Sequence, residues 1–213
     1  MTKIKICGIR NFEDIEFINE AFPDFAGFVF AKSRRQVDYG KAYLLRSELR
    51  KGIRTVGVFV NEDIALIRKC CDAGIIDMIQ LHGDEDGEYI ASLRRIVSRP
   101  LIKALRIGTG FRPEQLSPLL EGAGTLYDYP LFDTRSHQVY GGTGQSFDWN
   151  LVKACERPFF LAGGLNALNV ADAIRAVNPY CVDLSSGVEN DGVKDRTKIL
   201  EIVGLVRAMI LPD

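Results

Sequence analysis

The sequence predicts an α/β protein, a single-domain (β/α)8 barrel of the TIM type spanning residues 1–213. Eight short apolar runs alternate with eight amphipathic helical patterns, which is how repeated parallel βαβ units read, and the natural closure of eight such units is a barrel. A chain of 213 residues suits one domain of this kind, and no linker, repeat or low-complexity segment divides it. The residues able to do chemistry also fall at or just past the carboxyl ends of the runs, where a barrel places its working site. An open, doubly wound sheet is the alternative. No G-x-G-x-x-G follows the first strand, which argues against its dinucleotide-binding form.

The first run, Lys3-Ile4-Lys5-Ile6-Cys7, alternates with a period of two. Ile4 and Ile6 share one face, and Lys3, Lys5 and Cys7 the other. Gly8 ends the run, and Asn11 can cap a helix over residues 12–21. A face with two lysines and a cysteine makes poor core but suits a strand that looks into a pocket. The plainer alternative is that Cys7 fills space, as unpaired cysteines often do. Phe25–Phe30 is the second strand, followed by Ala31-Lys-Ser-Arg-Arg35 and a helix over about 38–50. Thr55–Val60 leads into a helical pattern over 62–73. Asp77–His82 leads into one near 86–98, which ends before Pro100. Leu101–Leu105 is the fifth strand, and Pro113 opens the next helix, over 111–120, in its first turn.

The sixth strand runs from Leu126 to Phe132 and ends in Asp133-Thr134. A Gly-rich loop, Gly141-Gly-Thr-Gly144, leads to a short helical segment beginning at Phe147. Pro158–Ala162 is the seventh strand, closed by Gly163-Gly164-Leu165 before a helix over about 167–177. Tyr180–Leu184 is the eighth, closed by Ser185-Ser186-Gly187, and an amphipathic helix over about 194–209 completes the pattern.

Composition narrows the partners. A formal net charge of -1 supplies no electrostatic footprint for nucleic acid or an anionic membrane. No apolar run is long enough to cross a bilayer, and the start lacks the apolar core of a signal peptide. Five scattered cysteines, odd in number, do not form a disulfide framework and point to a reducing, cytoplasmic setting. With His82 and His137 alone, no His/Cys cluster at metal-ligand spacing exists, so no metal is expected.

Several groups at the strand ends carry chemistry. Gly163-Gly164 and Ser186-Gly187 follow strands seven and eight, where barrels often hold a phosphate on backbone N–H groups; the alternative is two ordinary tight turns. Asp133 is placed to reach the barrel mouth, unless it only caps a turn. Asp183 points inward between Val182 and Leu184 and needs a partner. Lys5, on the neighbouring first strand of a closed barrel, is the candidate. Arg34-Arg35 is either solvated charge or a bidentate ligand for a carboxylate. His82 could line the mouth or be an ordinary satisfied polar residue. Nothing specifies His137, and Cys70, Cys71 and Cys155 read as structural.

Lys5-Ile-Cys-Gly-Ile9, Gly27-Phe-Val-Phe30, Ser33-x-Arg35, Gly57-Val-Phe-Val-Asn61, Gln80-Leu-His-Gly83, Asp133-Thr134, Gly141-Gly-x-Gly144-x-x-Phe147-Asp-Trp149, Ala162-Gly-Gly-Leu165 and Val182-Asp-x-Ser-Ser-Gly-Val-Glu189 together resemble the phosphoribosylanthranilate isomerase family of tryptophan biosynthesis. The motifs run in the family's order from residue 5 to Lys194-Asp195. One departure is Lys32, where a proline often precedes the Ser-x-Arg.

The resemblance implies the barrel and a cofactor-free Amadori rearrangement of a small-molecule phosphosugar-anthranilate substrate. It implies Cys7 as general base, Asp133 as general acid, Arg35 on the anthranilate carboxylate and Asp183 on a sugar hydroxyl. The phosphate would rest on the loops holding Gly163, Gly164, Ser186 and Gly187. A free cysteine is mostly protonated at neutral pH, so Lys5, on the same face as Cys7, is expected to favour the thiolate. A monomer or homodimer is compatible with the sequence. Two competing readings are a different phosphosugar enzyme on the same fold and a non-catalytic phosphosugar-binding barrel.

Overall fold

β1 (Lys3–Cys7) pairs in parallel with both β2 (Phe25–Val29) and β8 (Cys181–Leu184), and the second pairing closes the sheet. β3 (Arg54–Phe59), β4 (Met78–Leu81), β5 (Leu101–Ile107), β6 (Tyr129–Thr134) and β7 (Phe160–Leu161) complete a barrel in chain order. Outside it lie α1 (Phe12–Ala21), α2 (Tyr39–Glu48), α3 (Ile64–Asp72), α4 (Gly87–Arg94), α5 (Leu116–Leu120), α6 (Val170–Val177) and α7 (Arg196–Ala208). The structure, a computed structural model, describes residues 1–108, 110–121, 126–134 and 147–209. Among these, no helix is long and apolar enough to cross a membrane.

The barrel is the one predicted, with local differences; among them, β7 is only Phe160–Leu161, and the helix expected over 111–120 is a 3-10 turn, Pro113–Gln115, followed by α5. The sixth strand begins at Tyr129 rather than Leu126. The carbonyls of Leu126 and Tyr127 accept hydrogen bonds from Arg94 and Arg157 side chains instead of joining the sheet. Between β6 and β7 the described helical segment is a 3-10 turn, Trp149–Val152, so seven α-helices are described where eight helical patterns were expected. The Gly141–Gly144 loop and His137 lie outside the described residues. A hairpin not expected from the sequence, β9 (Glu189–Asn190) and β10 (Val193–Lys194), stands between β8 and α7. Its Asp191-Gly192 turn has positive φ at both residues, as the tightest hairpin turns require.

Alternation along β1 sorts its side chains into two layers. Ile4 and Ile6 face outward into the core shared with the helices, where Ile15, Ile18, Ile199 and Ile202 are also buried. Inside the barrel a second cluster contains Phe25, Val56, Met78, Ile102, Leu131 and Phe160. Phe25, Tyr129, Phe160 and Tyr180 stack at the amino-terminal ends of their strands and fill that end of the barrel. The opening is therefore at the carboxyl ends. Asn11 caps α1 as expected, its side chain accepting from the Asp14 N–H at 2.7 Å.

Lys5 lies in the same interior, fully buried. It is in register with Asp183, and its Nζ donates to Asp183 Oδ2 at 2.8 Å, the pairing the sequence predicts. Burial alone would pull the ammonium's pKa down, but Asp183 and Cys7 outweigh it and hold Lys5 charged. Lys5→Met should cost about 3–5 kcal/mol of stability, because it strands the Asp183 charge in the barrel interior. Asp183→Leu added to Lys5→Met should recover part of that loss. Urea midpoints of the two single variants and the double variant give the coupling, and strict additivity would mean that the contact contributes nothing.

Candidate active site

A cavity of about 520 Å³ opens at the carboxyl ends of the strands. Cys7, Arg35, Asp133, Gly163, Gly164, Asp183 and Ser186 line it, together with Gln80, His82 and Ser185. Of the site residues read from the sequence, only Gly187 stands outside the lining. Its backbone packs against the Leu165 carbonyl, where a Cβ would collide.

Cys7 ends β1 beside Gly27 of β2, and a Cβ on Gly27 would sit 2.8 Å from the Cys7 Sγ. The glycine leaves room for the sulfur. Burial pushes the Cys7 thiol above the ordinary cysteine range; Lys5 and Lys194 pull it down, and Asp183 pushes it further up. Lys5 favours the thiolate, as the sequence suggests, but it does not prevail. Its charge is already matched by Asp183, and desolvation of the sulfur dominates.

Asp133, near the end of β6, is buried and meets two polar partners. Its Oδ1 accepts from the Thr134 N–H at 2.8 Å, and its Oδ2 lies 3.2 Å from His82 Nε2. Gln80 Nε2 lies 3.0 Å from His82 Nδ1. His82 thus bridges Gln80 and Asp133 through its two ring nitrogens, in either tautomer. His82 is therefore part of the mouth rather than an incidental polar residue. Gly163, at φ 89°, comes so close to Thr134 and Asp133 that a side chain there would strike both.

Arg35 crosses the end of β1 above Gly8. Gly8 has φ 86°, and a Cβ there would lie 2.5 Å from Arg35 Cδ. Arg35 then makes a paired contact with Glu189 of the β9–β10 hairpin, Nε to Oε1 at 2.8 Å and Nη2 to Oε2 at 2.7 Å. Lys194 Nζ donates to the same Glu189 Oε1 at 2.7 Å and to the Ser185 carbonyl at 3.0 Å. Burial would raise the Glu189 carboxyl, yet Arg35 and Lys194 hold it down at about 2, from an ordinary 4.5. A depressed carboxyl stabilises the fold fully above pH 4.5, and that contribution is lost as pH falls towards 2. Urea midpoints measured across that window should fall less steeply in Glu189→Gln than in the unaltered protein.

The remaining wall is backbone. Gly164 has φ 65°, Asn166 and Asn169 amides donate to its carbonyl, and Ser186 opens a one-turn 3-10 helix, Ser186–Val188. The N–H groups of Gly164 and Ser186 have no acceptor among the described residues. Two loops offering free N–H groups at the rim suit an anion.

Four residues of the site carried no assigned role in the sequence reading: Gln80, His82, Glu189 and Lys194. Gln80 and His82 end an apolar strand and are separated by one residue, so alternation alone puts them on one face. Glu189 and Lys194 depend on a two-residue hairpin that apolar periodicity cannot reveal, although Asp191-Gly192 is a turn signal.

A buried thiol, a carboxyl beside an imidazole and two N–H-bearing loops converge at the carboxyl face of the barrel, where (β/α)8-barrel enzymes carry their active sites. The model of the N-(5'-phosphoribosyl)anthranilate (PRA) isomerase family matches residues 4–204, and the chain belongs to that family. It is 48% identical to N-(5'-phosphoribosyl)anthranilate isomerase of Endomicrobium trichonymphae, over 98% of this chain and all of that one. It is 45% identical to that of Thermoanaerobacter sp. strain X514, with the same coverage. The crystal structure of the Thermotoga maritima isomerase superposes with a TM-score of 0.85 at 33% identity, over 98% of this chain and 100% of that one. With identical coverage, a phosphoribosylanthranilate isomerase in complex with reduced 1-(o-carboxyphenylamino)-1-deoxyribulose 5-phosphate superposes at 0.82 and 33% identity. Monomers derived from the dimeric Thermotoga maritima isomerase superpose at 0.80 and 32% identity, over 98% and 100% of the two chains.

Proposed function

We propose that residues 1–213 act as one catalytic domain that converts N-(5'-phosphoribosyl)anthranilate to 1-(2-carboxyphenylamino)-1-deoxyribulose 5-phosphate in tryptophan biosynthesis, without a cofactor. The observation that carries this reading is that Cys7 and Asp133 line one cavity from β1 and β6, three strands apart around the closed barrel. The reaction needs one acid and one base on different sides of a sugar. Asp133 gives a proton to the ring oxygen as the C1–O bond breaks and the anthranilate nitrogen pushes, leaving an iminium. Cys7 removes the C2 proton, whose electron pair forms the enolamine, and the enolamine tautomerises to the ketone. Asp183 Oδ1 is buried without a hydrogen-bond partner among the described residues, which suits a sugar hydroxyl as donor.

Arg35 holds the anthranilate carboxylate in this reading, through the Nη1 side that Glu189 leaves open, and the phosphate rests on Gly163, Gly164, Ser186 and Gly187. The dimeric Thermotoga maritima relative favours a homodimer over a monomer, and five unbridged cysteines favour the cytoplasm. The deciding experiment follows anthranilate fluorescence as the purified protein turns over substrate without added metal or nucleotide. Tight binding without turnover would instead identify a binding module.

Gly187 tests the phosphate loops. Gly187→Ala drives a methyl into the Leu165 carbonyl and parts the loop after β8 from the loop after β7. KM should rise about tenfold or more, with a smaller change in kcat, as anchoring hydrogen bonds to a charged group are lost. Unchanged KM, and unchanged inhibition by inorganic phosphate, would relocate the phosphate site.

A further inference from the structure

The Arg35 guanidinium does not stand alone at the cavity wall. Glu189 grips its Nε–Nη2 edge with both carboxylate oxygens. A planar guanidinium held along that edge keeps its other edge, Nη1 with the second Nη2 hydrogen, free and fixed in direction. Nη1 has no hydrogen-bond partner among the described residues. Glu189 is itself fixed, because buried Lys194 binds its Oε1 and ties the hairpin to the Ser185 carbonyl. Beneath the arginine, Gly8 removes the side chain that would block its path from β2 to the hairpin.

From this geometry we infer that Glu189 is the positioning residue that makes the site specific for a planar carboxylate on the substrate, by aiming the open edge of Arg35 into the cavity. The inference rests on the reading of Arg35 as the carboxylate ligand. Without Glu189 the guanidinium keeps its charge but can rotate about its long stem. Carboxylate recognition then falls from two directed hydrogen bonds to a diffuse attraction.

The test compares two stable ligands, reduced 1-(o-carboxyphenylamino)-1-deoxyribulose 5-phosphate and its counterpart made from aniline, which lacks the carboxylate. Their Kd ratio is measured in the unaltered protein, Glu189→Gln, Arg35→Ala and the double variant. The unaltered protein should prefer the carboxylate ligand by about ten- to a hundredfold, the range for a charge-assisted paired contact. Glu189→Gln should bring that preference to within about threefold while affinity for the aniline ligand falls far less. Adding Glu189→Gln to Arg35→Ala should change the ratio no further. If Glu189→Gln does not fold, Glu189→Asp keeps the charge, shortens the reach and should show the same lost preference.

A preference that survives at Glu189 but falls in Arg35→Ala overturns the inference and leaves the carboxylate reading standing. A preference that survives in Arg35→Ala overturns both, since the carboxylate is then bound elsewhere. Equal losses for both ligands at Glu189 also overturn it, by assigning Glu189 a structural role only.

Discussion

Asp133→Ala should lower kcat by at least about 10²-fold, the lower end for losing a positioned proton-transfer group. The ring oxygen is a poor leaving group unless it is protonated as the C1–O bond breaks, and in the proposed reaction Asp133 supplies that proton. Asp133→Asn makes the sharper comparison. Its amide keeps the size of the carboxyl and an oxygen to accept from Thr134, but it cannot release a proton as a carboxylic acid does. Both variants should therefore lose kcat alike, while a purely structural role for Asp133 would spare the asparagine. Substrate affinity should fall less than kcat, because in the proposed reading other residues hold the phosphate and the carboxylate. Steady-state kinetics with thermal unfolding of the same preparations separates the cases. A folded Asp133→Ala protein with near-normal kcat would remove Asp133 from the mechanism.

The sequence revealed most where a side chain's direction follows from strand alternation. Lys5 and Asp183 are the clearest instance: each lies mid-strand with apolar neighbours on the other face, and closing the barrel sets them in register. Cys7, Asp133 and the Gly163-Gly164 turn are located by the same logic, since a strand end in a barrel is also an address on its working face. Contacts that depend on tertiary approach were beyond it. Nothing in the residue string says that Arg35 bends across Gly8 to Glu189, that the Gly187 backbone packs against the Leu165 carbonyl, or that His82 meets Asp133. Net electrostatics was likewise out of reach. One strand shows Lys5 beside Cys7, but whether that cation prevails over burial depends on Asp183 and on how much water the barrel excludes.

That balance governs the second large effect. Cys7→Ala should depress kcat by at least about 10²-fold, because in the proposed reaction Cys7 alone takes the C2 proton. Cys7→Ser should do little better, a hydroxyl being a far weaker acid than a thiol and so less often ionised. The base must be ionised to act, and burial pushes the Cys7 thiol above the ordinary cysteine range, so its thiolate fraction should still be rising above about pH 8.5. The rate at which Cys7 is alkylated by iodoacetamide, followed on its own peptide, should show a midpoint above that value. Asp183→Asn should lower the midpoint by removing the negative charge that opposes the thiolate, and Lys194→Met should raise it by removing a cation that favours it. One limb of the kcat/KM profile against pH should share the Cys7 midpoint and move with it in both variants, whichever limb the coupled acid–base pair assigns to the thiol. If the alkylation midpoint shifts and neither limb follows, Cys7 is not the base. A folded Cys7→Ala protein that keeps near-normal kcat would lead to the same conclusion without any titration.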